Sequence, residues 1–216
     1  MRVYHFLPRT YGLEDLRKRR LKIATLGDIN DPFELLSPVT YHPSERRALR
    51  AMKAEFAADH GLLCFSRDWR NPVQWSHYAE GHRGLCLAFD CPDTLLIPVN
   101  YVTVRQKLDL GALMGSAEPA ERYMQRLLST KYVHWSYEDE VRCFTDLVEK
   151  EGEFYFAPFS SDLELKEVIV GHSSTITRAE LADALGTPSS HVSTRKARLA
   201  FKTYKVVTQR MRSLWR

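Results

Sequence analysis

Apolar positions along the chain switch between period two and a helical period, and the switches divide it into short strands and helices. Arg2-Val3-Tyr4-His5-Phe6-Leu7 alternates as a strand, and Tyr11 to Arg20 follows as a short amphipathic helix with Leu13 and Leu16 inward. Leu21 to Leu26 returns to period two. The turn from Gly27 to Glu34 ends in helix-start chemistry, with Asp31 as N-cap, Pro32 at the first helical position and Glu34 three residues past the cap. Leu49, Met52 and Phe56 predict a helix from Pro43 to His60 that Gly61 stops, and Leu62 to Ser66 is a buried strand.

The loop 67–74 closes on Asn71-Pro72, and Val73 to Tyr78 has room for one or two helical turns. His82-Arg83-Gly84 then turns the chain into Leu85 to Asp90, a nearly continuous apolar strand of the buried kind. Leu95 to Val102 reads as a strand whose Pro98 belongs near an edge. A helix is expected from Glu118 to Val133, then an extended segment in which Glu138, Glu140 and Arg142 share one face. Strands over 154–159 and 165–171, a helix opened by the Thr177-Arg178-Ala179-Glu180 capping box and ended by Gly186, and a strand at 204–208 complete the pattern. The sum is one α+β domain over residues 1–216, with a central, mostly antiparallel or mixed sheet flanked by helices.

Composition changes this picture little. Of 216 residues 44% are hydrophobic and 27% charged, which is ordinary for a globular chain with its own core. No apolar run approaches a membrane span, and the chain opens on a strand-like segment rather than a signal peptide, so the expected location is the cytoplasm, with no membrane partner. Cys64, Cys86, Cys91 and Cys143 form no Cys-x-x-Cys pair, and reduced, mostly buried thiols are expected. The net charge of +4 is uneven: beyond Asp183 no acidic residue occurs, while eight Lys and Arg residues from Arg195 to Arg216 follow, so the segment 172–216 suits a phosphate-bearing partner.

Chemistry concentrates in Trp75-Ser76-His77-Tyr78-Ala79-Glu80-Gly81-His82-Arg83-Gly84, where titratable groups press against an apolar strand. With His5 on the first strand and the Glu138/Glu140/Arg142 face, these are the candidates for one site. Each has an ordinary structural use as well: a strand histidine, a core tyrosine, a cross-strand ion pair. Spacing excludes a recognised zinc site, and no phosphate loop, dinucleotide fingerprint or serine elbow occurs. A Cys64 or Cys86 nucleophile paired with His77 stays open, although apolar flanks raise a thiol pKa. A rival motif is Glu180 to Gly186 followed by Val192-Ser193. This has helix-turn-helix spacing over 177–199, with Ser189 to Leu199 as a recognition helix that turns Arg195, Lys196 and Arg198 towards nucleic acid.

These pieces, in order, resemble a widespread bacterial family known as domain of unknown function 2971. They are Tyr4-His5-Phe6, Asn30-Asp31-Pro32-Phe33-Glu34, Cys64-Phe65-Ser66, Trp75-Ser76-His77-Tyr78-Ala79 with Gly81 to Phe89, Trp135-x-Tyr137-Glu138-x-Glu140-x-Arg142, and Glu167-Val168-Ile169-Val170-Gly171. The likeness spans roughly residues 3–171. A second, looser likeness is to ADP-ribosyltransferases, in the order of an opening strand with His5, a tyrosine-bearing middle helix and a late strand with a glutamate. That resemblance implies an ADP-ribosyltransferase-like fold using NAD as substrate and no metal, in bacterial defence or as a toxin, with nucleic acid or protein as acceptor. It implies catalytic roles for Glu140, Tyr78 and His77. His5 would hold the adenosine-side ribose, and Asn30, Asp31, Ser66, Trp75, His82, Arg83, Glu138 and Arg142 would line the cleft around NAD.

Overall fold

The computed structural model describes residues 1–31, 33, 38–109, 111, 119–186 and 191–215. In chain order its elements are β1 (Arg2–Leu7), α1 (Arg9–Lys18), β2 (Arg20–Ile23), β3 (Pro38–Val39), α2 (Pro43–Asp59), β4 (His60–Ser66), α3 (Pro72–Tyr78) and β5 (Leu85–Asp90). Then come β6 (Ile97–Pro98), β7 (Asn100–Val102), β8 (Gln106–Lys107), α4 (Ala120–Leu128), β9 (Thr130–Tyr132), β10 (Glu140–Asp146), β11 (Lys150–Glu151) and β12 (Phe154–Pro158). The chain closes with β13 (Glu164–Val170), α5 (Arg178–Leu185), β14 (Ser193–Leu199) and β15 (Val206–Thr208). Among the described residues, eight strands form one sheet in the order β15-β14-β13-β5-β1-β4-β10-β6. All its pairs are antiparallel except β13 with β14, so the protein is an α+β fold around a large mixed sheet.

Alternation along the central strands sorts side chains to two faces. Val3, Leu63, Phe65, Leu85, Leu87, Phe89 and Val141 point to one face and bury Leu13 and Leu16 of α1 and Leu181 of α5. The opposite face carries two smaller clusters, one under α3 with Phe6, Trp69, Trp75 and Cys86, the other with Leu49 and Phe56 of α2 and Leu127 and Leu128 of α4. Between those two clusters the sheet comes apart. β1 pairs with β4 only at Tyr4↔Ser66, and the other end of that β4 edge is met by an Ala24↔Leu62 bridge.

The structure corrects several expectations. Residues 193–199 form a strand, with Glu167↔Ser193 to Val170↔Lys196 in parallel register, so the recognition helix does not exist; of the rest of that motif, 187–190 lie outside the described residues. The physical reason is the exposed ladder of β13, which β14 completes after α5 carries the chain across. The cations are occupied too: Arg195 pairs with Glu167 and donates to Thr208 Oγ1 at 3.1 Å, Lys196 donates to the Ser174 carbonyl at 2.5 Å, and Arg198 lies over the Phe201 ring.

Gly61 is not a helix stop, since α2 ends at Asp59 and Gly61 lies inside β4. A Cβ there would stand 2.4 Å from Ile23 Cγ2 and 2.8 Å from the Ala24 carbonyl, so glycine lets β4 approach the end of β2. The helix expected to reach Val133 stops at Leu128, because Thr130-Lys131-Tyr132 pairs instead with Asn100-Tyr101-Val102; Glu118, its expected start, lies outside the described residues. The 95–102 segment is two short strands, of which β6 with Pro98 is the sheet edge. Asp31 accepts from the Phe33 N–H at 2.8 Å, a side-chain turn, while Pro32 and Glu34 lie outside the described residues.

Leu13 and Leu16 of α1 face inward as expected, and Asp15 is buried beside them. Burial, with Glu14 adding and Arg20 and Lys18 opposing, raises its carboxyl to about 7. The unfolded chain releases that proton near pH 4 and the folded chain only near 7, so this group's contribution to stability falls as pH rises through that window. Asp15→Asn is therefore expected to add up to about 4 kcal/mol at pH 8 and little at pH 4. Thermal unfolding at both pH values checks this, and equal shifts would contradict the assignment.

Candidate functional site

Where β1 and β4 diverge, a cavity of about 210 Å³ opens on the face that carries Tyr4, Cys64, Ser66, Glu140 and Arg142. Cross-strand register explains the grouping, because Glu140 stands opposite Ser66 and Arg142 opposite Cys64. His5 belongs by alternation to the other face, edge-on to Phe65 at 5.7 Å, and its ring bridges the gap: Nδ1 lies 2.8 Å from the Cys64 carbonyl. A carbonyl accepts, so Nδ1 holds the proton and Nε2 is left as the ring's acceptor. Burial lowers the His5 pKa against that hydrogen bond, which keeps the ring neutral.

The floor of the cavity is an ion cluster. Glu140, 4% exposed, accepts from Arg142 Nε at 2.8 Å and from Lys131 Nζ at 2.6 Å. Lys131 also reaches Glu138 at 2.6 Å, and the Tyr78 hydroxyl donates to the other Glu138 oxygen. Arg142 is fully buried and donates to the Leu128 carbonyl as well. Glu138 arrives at the cluster from the short 3₁₀ helix Val133–Glu138, followed by Asp139 at φ 45°, rather than from an extended strand. The shared face expected for the three residues holds only for Glu140 and Arg142 on β10.

Environment separates the two carboxylates. Burial pushes Glu140 up, but Arg142 and then Lys131 more than offset it and bring it to about 2. Burial also pushes Glu138 up, and there it prevails: Lys131 pulls the other way while Glu140 adds to the rise. One group is thus permanently ionised beside another placed to exchange a proton. Tyr78, raised by burial and then by Glu138, stays a phenol and a donor. Burial and Glu140 push the Cys64 thiol well up, and Cys86 is fully buried and likewise raised, so neither is an activated nucleophile.

Of the residues singled out by sequence, His5, Asn30, Ser66, Tyr78, Glu138, Glu140 and Arg142 line this cavity. The other five do not. His77 is exposed on α3 and stacks on Tyr137, because the helical turn that aims Tyr78 inward aims its neighbour out. Trp75 is core, its indole N–H donating to the Trp69 carbonyl at 2.6 Å. His82 lies flat against Trp75, in a turn where Glu80, Gly81 and His82 all take positive φ, and Arg83 is exposed beyond it. Asp31 is buried outside the lining.

Sequence reasoning missed Lys131, Gln74 and Tyr101. Lys131 and Tyr101 are register partners on β9 and β7, and the Tyr101 hydroxyl accepts the Glu140 N–H at 2.9 Å. Gln74 donates to Ser66 Oγ at 3.0 Å and to the Tyr137 and Glu138 carbonyls at 3.1 and 3.2 Å, tying α3 to the cluster. The β-branched and aromatic run Thr130-Lys131-Tyr132-Val133 was a signal against helix there; Gln74 carried none. A second cavity, about 300 Å³ and bordered by Phe33, Val102, Val104 and Tyr132, shares Lys131 with the first. No metal-holding group of His, Cys, Asp or Glu occurs among the described residues, and no helix among them is long and apolar enough to cross a membrane. No family model, no curated protein and no solved structure matches this chain.

Proposed function

We propose that the protein transfers an ADP-ribosyl group from NAD to a nucleic-acid or protein acceptor in the cytoplasm, in bacterial defence or as a toxin. The same reading takes it as a member of the domain of unknown function 2971 family with an ADP-ribosyltransferase-like fold. What supports it is that His5 of β1, Tyr78 of α3 and Glu140 of β10 line one cavity beside a pair of carboxylates with divided pKa values.

In that reaction the N-glycosidic bond breaks with its electron pair leaving on nicotinamide, and positive charge builds on the ribose. Glu140, ionised at any working pH, is the group to stabilise that charge, and Arg142 and Lys131 hold it in one orientation. The acceptor atom forms the new bond at the same carbon, and its proton passes to Glu138. Tyr78 keeps its hydroxyl on Glu138 and offers its ring as the cavity wall, while Nε2 of His5 accepts from a ribose hydroxyl. The volume suits the nicotinamide-ribose end, with the neighbouring apolar cavity available to what lies beyond.

Incubation with NAD labelled on nicotinamide, alone and with RNA, DNA and protein mixtures, tests this. The wild type should release nicotinamide, and Glu140→Gln should slow release by about 10²-fold or more. No release above buffer with any acceptor, or an unimpaired Glu140→Gln, would remove the proposal.

A further inference from the structure

One face of α2 carries Arg46, Arg50 and Lys53, at the i, i+4 and i+7 spacing that stacks side chains along a helix. Arg105, from the segment between β7 and β8, faces them across a notch of about 30 Å³ that Pro38 and Thr40 also border. Among the described residues no carboxylate lines it. Arg46 and Arg50 are exposed, whereas Lys53 is only 9% exposed, and its Nζ is fully buried without a hydrogen-bond partner. Burial, and then Arg105, lowers this ammonium to about 8, which still leaves it charged at neutral pH.

A buried ammonium without a counter-charge is costly, and none of the described residues that border the notch supplies one. The natural relief is an anion, and the surroundings say which kind. The notch admits the leading oxygens of an oxyanion while the remainder stays outside among the guanidinium groups. A carboxylate offers two coplanar oxygens; a tetrahedral phosphoryl group presents one to the buried ammonium and others to separate arginines. We propose that Arg46, Arg50, Lys53 and Arg105 form a binding site for a phosphoryl group. The site requires no part of the proposed transfer reaction, although Arg105 also borders the apolar cavity that shares Lys131 with the central one.

The test titrates the whole chain with inorganic phosphate, AMP, adenosine and a dinucleoside monophosphate against chloride at equal ionic strength, reading melting temperature and calorimetric Kd. Phosphate and AMP should bind and stabilise while adenosine does not, and the dinucleoside monophosphate decides whether a phosphodiester is also accepted. Lys53→Met, which removes an unpaired buried charge, should melt higher than wild type without anion and bind phosphate at least tenfold more weakly. The double variant Arg46→Gln/Arg50→Gln, altered only at exposed positions, should also weaken binding. Phosphate acting no differently from chloride, or binding Lys53→Met as well as wild type, overturns the site.

Discussion

Arg142→Met is expected to destabilise the protein by about 3–5 kcal/mol, the cost of leaving a buried carboxylate without its partner. Arg142 has no exposed surface, holds both oxygens of Glu140 through Nε and Nη2 at 2.8 and 3.2 Å, and caps α4 at the Leu128 carbonyl. Methionine fills similar volume and replaces none of these bonds. Lys131 remains, but it is shared with Glu138. The pH dependence gives a second reading. In the wild type the Glu140 carboxyl lies at about 2, below its unfolded value, so its contribution is complete above pH 4.5 and is lost as pH falls through 2. Without Arg142 burial dominates, the pKa rises, and that loss moves to higher pH. Urea unfolding from pH 3 to 8 measures both effects; a cost under about 1 kcal/mol at pH 7 would mean that the ion pair is not what holds the cluster.

Gly84→Ala is expected to cost about 3 kcal/mol, at the upper end for added core volume. A Cβ at Gly84 would stand 2.0 Å from the Leu7 carbonyl and 3.1 Å from the carbonyl carbon of Ala79, both backbone atoms that side-chain movement cannot relieve. Gly84 also donates to the Ala79 carbonyl at 2.8 Å and accepts from the Gly171 N–H at 3.0 Å, which joins α3, β5 and the end of β13. Opening this junction shifts β1 against α3, and with them His5 and Tyr78. A fall in denaturant midpoint with unchanged m-value is the expected signature. A change below about 1 kcal/mol would show that the turn yields more easily than the contact distances imply.

The His82-Arg83-Gly84 turn and Gly171 therefore belong to the architecture rather than to the site, although they sit among the densest titratable residues of the chain. His77 and Tyr78 make the same point at one-residue scale: adjacent in sequence, they face solvent and cavity respectively. A linear reading weighs both alike, because it sees composition and cannot see which way a two-turn helix is rotated.

What the chain determined by itself was local. An alternating run specified β1, because alternation has one stable use when one face is buried, and short continuous apolar runs specified β4, β5 and β13 as strands covered on both faces. Helical spacing specified α1 and α2, the Thr177 capping box specified α5, and the carboxylate and guanidinium two residues apart on β10 had to share a face. Tertiary structure decided everything that depends on partners far away in sequence. It turned residues 193–199 into a strand, because the open ladder of β13 is satisfied better by β14 than by solvent. It drew Lys131 out of an expected helix and between two glutamates, through pairing of β9 with β7. It parted β1 from β4 beyond Tyr4↔Ser66, and that gap, bridged by one histidine, is what makes a cavity of residues that alternation alone would have left on opposite faces of the sheet.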